Sequence, residues 1–184
     1  TGIQGAIICG TGSQPGVVVK FSRALAAFQG LLLGEKHTAK LIDKLAFGNY
    51  NKQVEKQRTS FDWLCRDEAV VDAYIADELC GFTFTVNGFR TLFTLLDRLN
   101  KEENLKKMPE TLPVLFIAGE KDPVGNYGEG VKKAFRDFQK AGLTTLSMKL
   151  YPEDRHELLN ELDKKKVYED IYSWILERIK EYQL

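Results

Sequence analysis

The chain has 184 residues, 43% of them hydrophobic, which fits one domain with a sizeable core and excludes a disordered tail. Lys and Arg (26) balance Asp and Glu (26), so the basic excess of a nucleic-acid binder is missing and no nucleic-acid partner is expected. Three cysteines, Cys9, Cys65 and Cys80, show no C-x-x-C spacing, and the two histidines, His37 and His156, lie in different regions; this argues against a disulfide framework or structural zinc and favours a reducing, cytoplasmic setting.

The first residue is Thr1, no basic-then-apolar leader precedes the apolar run, and the chain is expected to start in mid-fold. Ile3 to Cys9 (IQGAIIC), bounded by Gly2 and Gly10, reads as a parallel strand covered on both faces. Val17, Phe21, Ala24, Phe28 and Leu31, flanked by Val18, Leu25 and Leu32, then make a wide helical stripe. Lys20, Arg23 and Gln29 interrupt it, and it falls short of the roughly 20 residues that span a bilayer, so no transmembrane segment is expected. Further helices are predicted from Ala39 to Leu45 and from Arg66 to about Ile75. Between them Phe47, Tyr50, Phe61, Trp63, Phe82 and Phe84 lie in turn-rich sequence, so residues 15–85 read as an irregular helical insertion.

A helix is predicted from Asn87 to Leu99 (Phe89, Leu92, Phe93, Leu96), then a polar stretch ending in Pro109 and Pro113, then the uninterrupted apolar strand Val114 to Ala118. Asn126 to Ala141 is an amphipathic helix closed by Gly142, Leu146 to Tyr151 a strand stopped by Pro152, and Val167 to Tyr182 the last helix. This order is that of an α/β fold with a parallel sheet. The path from Cys9 to Val114 far exceeds the dozen or so residues a crossover needs. The Asn87 helix is therefore expected to be the crossover, and residues 15–85 an excursion over the carboxyl ends of the strands, where open α/β sheets bind ligands. The resulting division is a core strand and turn (1–14), a cap or lid (15–85) and the remaining core (86–184).

Gly10 to Gly16 lies where a dinucleotide-binding turn would, but its third glycine falls one place late behind Pro15; a glycine-rich turn is the simpler reading. Gly125 to Gly130 has the spacing of a P-loop, yet Val131 stands where the lysine is needed. Asp and Glu are spread along helices as on a solvated face, with no metal-ligand clustering, and neither metal nor cofactor is expected. Asp122 and His156 are different: each stands just past the end of a strand, on loops that leave the same edge of the sheet. On neighbouring strands, about 4.8 Å apart, the two side chains can meet. A carboxylate there would fix the imidazole tautomer while the imidazole works as a general base; the alternative is an exposed Asp-Pro turn and a histidine at a helix start.

The sequence from Gly119-Glu120-Lys121-Asp122-Pro123-Val124-Gly125 to Tyr151-Pro152-Glu153-Asp154-Arg155-His156-Glu157-Leu158-Leu159-Asn160-Glu161, with Arg58 to Glu68 and Leu79 to Phe82, resembles the C-terminal part of the α/β-hydrolase fold. Within it the chain is similar to the bacterial monoacylglycerol lipase and lysophospholipase-like group of serine hydrolases. That resemblance implies Asp122 as the triad acid and His156 as the base, with a serine in a G-x-S-x-G elbow earlier in the chain. No G-x-S-x-G occurs here, so nucleophile and oxyanion loop are expected upstream of Thr1, on a missing N-terminal part of the same protein, and this chain alone is expected to be inactive. The parent would cleave carboxylic esters of lipid-like or apolar acyl substrates through an acyl-serine, with the aromatics Phe47, Phe61, Trp63, Phe82 and Phe89 covering the acyl chain or forming the cap's own core. An aminopeptidase or amidase, and a non-catalytic binding module, are the alternatives. An unpaired edge at the Ile3 strand would favour self-association.

Overall fold

The uncharged segment Val114–Gly119 can be covered on both faces, and every one of its residues is buried. The computed structural model describes residues 2–99 and 101–182, with strands β1 (Ala6–Cys9), β2 (Val114–Gly119) and β3 (Leu146–Tyr151) forming one parallel sheet in the order β1-β2-β3. Ala6 pairs with Val114, and Val114 with Leu146, so all three strands deliver the chain to the same edge. The first strand begins at Ala6 rather than Ile3: the ladder starts at the Ala6 N–H, which donates to the Pro113 carbonyl at 2.9 Å, and Pro113 has no N–H to extend it.

Alternate side chains of β2 serve two cores, as a strand's period of two requires. Val114, Phe116 and Ala118 pack with Val131, Phe135 and Phe138 of helix α6 (Glu129–Lys140), and the Phe116 ring meets the Phe138 ring at 5.0 Å, edge to face. Leu115 and Ile117 pack on the other side with Val167, Ile171 and Trp174 of helix α7 (Lys164–Tyr182). Burying a side chain such as Phe116 or Ile117 contributes about 1.5–3 kcal/mol, which makes β2 the fixed reference of the molecule. Helix α6 starts three residues later than its apolar pattern implies, because Asn126, Tyr127 and Gly128 all take positive φ (48°, 55° and 86°), which a right-handed helix excludes.

The remaining helices are α1 (Gly16–Leu33), α2 (Lys40–Phe47), α3 (Glu68–Ala76), α4 (Val86–Leu99) and the short α5 (Glu102–Leu105). Asp67 caps α3, its carboxylate accepting from the Ala69 N–H at 3.1 Å. Helix α4, expected as the crossover on the sheet, packs instead along α1: Val86, Phe89 and Phe93 share a core with Val19, Ala26, Ala39 and Ile42, and Arg23 pairs with Asp97 at 2.7 Å. Its apolar stripe marks a buried face without naming the partner, and α1 supplies one nearer in space than the sheet. The chain rejoins the sheet layer at Leu105, Met108 and Leu112. A smaller core of Leu64, Cys65 and Val71, with Phe61, Trp63 and Tyr74 against it, lies around α3.

Helix α1 carries the wide apolar stripe expected over Val17 to Leu32. Its 18 residues, with mean hydropathy 1.4, are long and apolar enough to cross a membrane, although Lys20 and Arg23 interrupt them and 17% of the stretch is buried. One face is committed to α4, while Val17, Phe21, Phe28 and Leu31 are 80%, 67%, 58% and 84% exposed.

Candidate active site

Asp122 is fully buried at the exit of β2, and its own loop holds it. The Val124 N–H donates to Asp122 Oδ1 at 2.8 Å, and the Tyr127 N–H to the Asp122 carbonyl at 2.9 Å. The left-handed backbone at Asn126 and Tyr127 folds the loop back on itself to make that second bond, and such strain survives only where the surroundings over-determine it. The turn after β1 packs beside it: a Cβ at Gly12 would stand 2.3 Å from the Val124 carbonyl oxygen.

His156 leaves β3 five residues beyond Tyr151 and meets Asp122 across the neighbouring strand, with Nδ1 3.0 Å from Oδ2. An ionised carboxylate only accepts, so Nδ1 carries the proton and Nε2 presents the lone pair. The His156 side chain is 29% exposed and Asp122 0%. That is the arrangement of an oriented general base: a buried acid fixes the tautomer and the other nitrogen is left to exchange protons. Gly10 lets the β1 turn close over the ring, since its φ is +62° and a Cβ there would stand 3.2 Å from His156 Cε1.

The five aromatics picked from the sequence do not form one set. Trp63 lies against the His156 ring at 5.4 Å, Tyr50 against Trp63 at 4.9 Å, and Phe47 against Tyr50 at 5.4 Å. Phe89 continues the series, 5.9 Å from Phe47, but is fully buried among α1, α2 and α4, so it supports Phe47 and offers no surface of its own. Phe82 reaches Phe89 only through Phe84 and is 60% exposed. Phe61 stands apart, 5.2 Å from Tyr74 in the α3 core. Tyr50, which no sequence motif singles out, stands in this series between Trp63 and Phe47; burial, then the nearby Asp122 and Tyr127, raise its phenol above the ordinary range. With Tyr127, Lys121 and Arg155 it lines a cavity of about 440 Å³.

Acidic residues expected to be merely solvated converge here. Asp154, Glu161 and Asp163 each bring a carboxylate oxygen within 4.8 Å of the others, and the Arg66 guanidinium bonds all three, with Nε 2.9 Å from Glu161. The sequence reading of no such clustering is thereby corrected: the loop after β3 bends the three together around a fixed cation. Asp154 is 1% exposed, and its carboxyl is pushed up to about 7 by burial, by a hydrogen bond with Asp163 and by the charges of Glu161 and Asp163, against the pull of Arg66. Burial alone would raise Asp163 too, but the bond with Asp154 and the Arg66 guanidinium hold it below the usual carboxylate range. The two acids therefore titrate as a pair sharing one proton.

A family model described as serine aminopeptidase, S33, matches residues 1–163. No curated protein sequence matches the chain. Among solved structures, a highly thermostable carboxyl esterase from Bacillus coagulans, in complex with glycerol, is similar with a TM-score of 0.83 and 28% identity over 97% of this chain. A soluble variant of the monoglyceride lipase of Saccharomyces cerevisiae, in complex with a substrate analog, has a TM-score of 0.65 and 19% identity over 96% of the chain, and the Paleococcus ferrophilus monoacylglycerol lipase 0.62 and 16% over 96%. These likenesses show the α/β-hydrolase fold. The chain spans 58%, 54% and 60% of those three structures, respectively.

Proposed function

This chain belongs to the serine aminopeptidase S33 family of α/β-hydrolases, and from that membership we propose that it carries the acid, base and cap of a serine hydrolase for carboxylic esters of lipid-like or apolar acyl groups. The observation that carries the reading is the 3.0 Å contact between His156 Nδ1 and buried Asp122 Oδ2 at the carboxyl ends of adjacent parallel strands. In this reading the sequence is the C-terminal part of the fold. It assigns the nucleophilic serine, absent here as any G-x-S-x-G, and the oxyanion donors to a part of the protein outside this sequence, and the relatives' greater length supports that assignment.

His156 Nε2 takes the proton of the serine hydroxyl as the oxygen attacks the ester carbonyl. The tetrahedral intermediate collapses, the imidazolium returns that proton to the departing alcohol, and an acyl-serine remains. Water, deprotonated by the same nitrogen, attacks the acyl carbon; as the second tetrahedral intermediate collapses, the imidazolium returns the proton to the serine oxygen and the acid is released. Asp122 stabilises the imidazolium in both halves without accepting its proton. Residues 15–85 act as the cap, with Trp63 and Phe47 as its acyl-contacting rings, and the three free cysteines fit a reducing, cytoplasmic setting.

The family's description gives weight to a second reading, in which the leaving group is an amine and the substrate an aminoacyl amide. A panel of p-nitrophenyl esters and aminoacyl p-nitroanilides on the intact protein separates the two. Ester turnover that His156→Ala lowers by about 10⁴-fold or more is the expected outcome. Failure of the intact protein to react with a fluorophosphonate probe would refute serine chemistry.

A further inference from the structure

The loop that carries His156, from Pro152 to Glu157, belongs to neither a strand nor a helix; apart from one backbone bond, from the Lys121 N–H to the Asp154 carbonyl at 2.9 Å, it is fixed by Glu161 and by a segment far away in the chain. Glu161 is fully buried and accepts from the backbone N–H of Arg155 at 2.8 Å, of Arg66 at 3.2 and 3.3 Å and of Leu162 at 3.3 Å, as well as from Arg66 Nε at 2.9 Å. The Arg155 guanidinium donates back to the Asp62 and Cys65 carbonyls at 2.6 and 3.1 Å. On the other side of His156, the Glu157 N–H donates to the Leu64 carbonyl at 2.8 Å. Both peptide neighbours of the imidazole are thus tied to residues 62–66, and Trp63 of that same segment lies against the ring.

We propose that Glu161, together with Arg66, is a positioning residue for His156: it locks residues 62–66 onto the base loop and so sets the alignment of the imidazole with Asp122. Its effect on turnover rests on the function proposed above, whereas the lock itself is a property of the loop. A buried carboxylate surrounded by N–H donors holds each of them strongly, because every donor freed would be left in a dry environment. Removing that charge lets the loop relax, and misplacement of a catalytic group by about 1 Å can cost about 100-fold in rate.

The test compares the intact wild-type protein with Glu161→Gln, which keeps the shape and loses the charge, and with Arg66→Lys, which keeps the charge and loses the planar fork. Two readouts are taken: the Nδ1-bound proton resonance of His156 in ¹⁵N-histidine-labelled protein, and kcat per site titrated with a fluorophosphonate. Both variants are expected to move or broaden that resonance and to lower kcat per titrated site by about 10-fold, with KM within about two-fold of wild type. An unchanged resonance with unchanged kcat per site overturns the proposal, as does a loss confined to the number of titratable sites. Should the variants not fold, amide exchange in the wild type decides: protection of the Arg155 and Glu157 N–H groups well above that of Glu153 is expected, and equal exchange overturns the lock. A wild-type protein that neither labels nor turns over esters would defeat the catalytic reading, while the resonance and the exchange data still judge the lock.

Discussion

The loops carrying Asp122 and His156 leave adjacent strands at the same level, yet they are held in opposite ways. The Asp122 loop is built from its own backbone: Val124 and Tyr127 supply the bonds, within five residues of the acid. The His156 loop touches its neighbour through one backbone bond, from the Lys121 N–H to the Asp154 carbonyl at 2.9 Å, and is otherwise held from outside, by Asp62, Leu64, Cys65 and Arg66, some 90 residues earlier in the chain. The acid's position is a local property and the base's a long-range one. A change in residues 62–66 should therefore reach His156 and leave Asp122 where it is.

The strongest test of that contrast is the acid itself. Asp122→Asn should lower kcat of the intact protein by about 10³- to 10⁴-fold, with little change in stability, because an amide can still accept from Val124 but no longer stabilises the imidazolium. A loss under ten-fold would remove Asp122 from the role. Next comes the point where the two loops touch. A Cβ at Gly119 would stand 2.0 Å from the Asp154 carbonyl oxygen, so Gly119→Ala should cost about 3 kcal/mol or more in urea unfolding, and a near-neutral result would mean that the base loop yields easily.

A smaller effect is the pH dependence of the base loop's anchor. Asp154 has a folded-state pKa of about 7, above its unfolded value, so the stability it contributes is full below about pH 4 and is lost as pH rises through about 7. The urea midpoint should be lower at pH 8 than at pH 5.5, and Asp154→Asn should shrink the difference. A wild-type midpoint that rises over this range would contradict the sign. Finest of all, amide exchange should show Glu157 opening together with residues 64–66, while Val124 and Tyr127 follow β2, and helix α1 should be less protected than Leu115 to Ile117. Exchange of all these amides at one common rate would erase the distinction between the loops.

How legible each loop was follows from the same contrast. β2 announces itself by an uninterrupted apolar run, and β3 by apolar residues alternating with Ser147 and Lys149 and a stop at Pro152; residues a few places past each strand sit at the sheet edge, so the sequence alone lets Asp122 and His156 meet. The Arg66–Glu161 tie could not be read that way: its partners lie 95 residues apart, obey no periodicity, and belong to a residue class that is usually solvated. The one available signal was the density of charge around His156, in Glu153-Asp154-Arg155 and Glu157, beside an apolar strand. The packing of helix α4 along α1 is hidden for a related reason, since an amphipathic stripe reports that a face is covered but not by what. The late start of α6 came from left-handed backbone at Asn126 and Tyr127, residues whose types do not demand it.

The uncovered face of α1 has a consequence for the behaviour of the chain in bulk solution. Colloidal stability rests on copies repelling one another, and with 26 basic and 26 acidic residues the chain carries no net charge to provide that repulsion. Contact between Phe21, Phe28 and Leu31 of different molecules then meets only the resistance of local hydration. Self-association should consequently rise with protein concentration and respond weakly to salt. At neutral pH it should be reduced more effectively by a few acidic substitutions along α1, Val17→Glu or Leu31→Glu for instance, than by added salt.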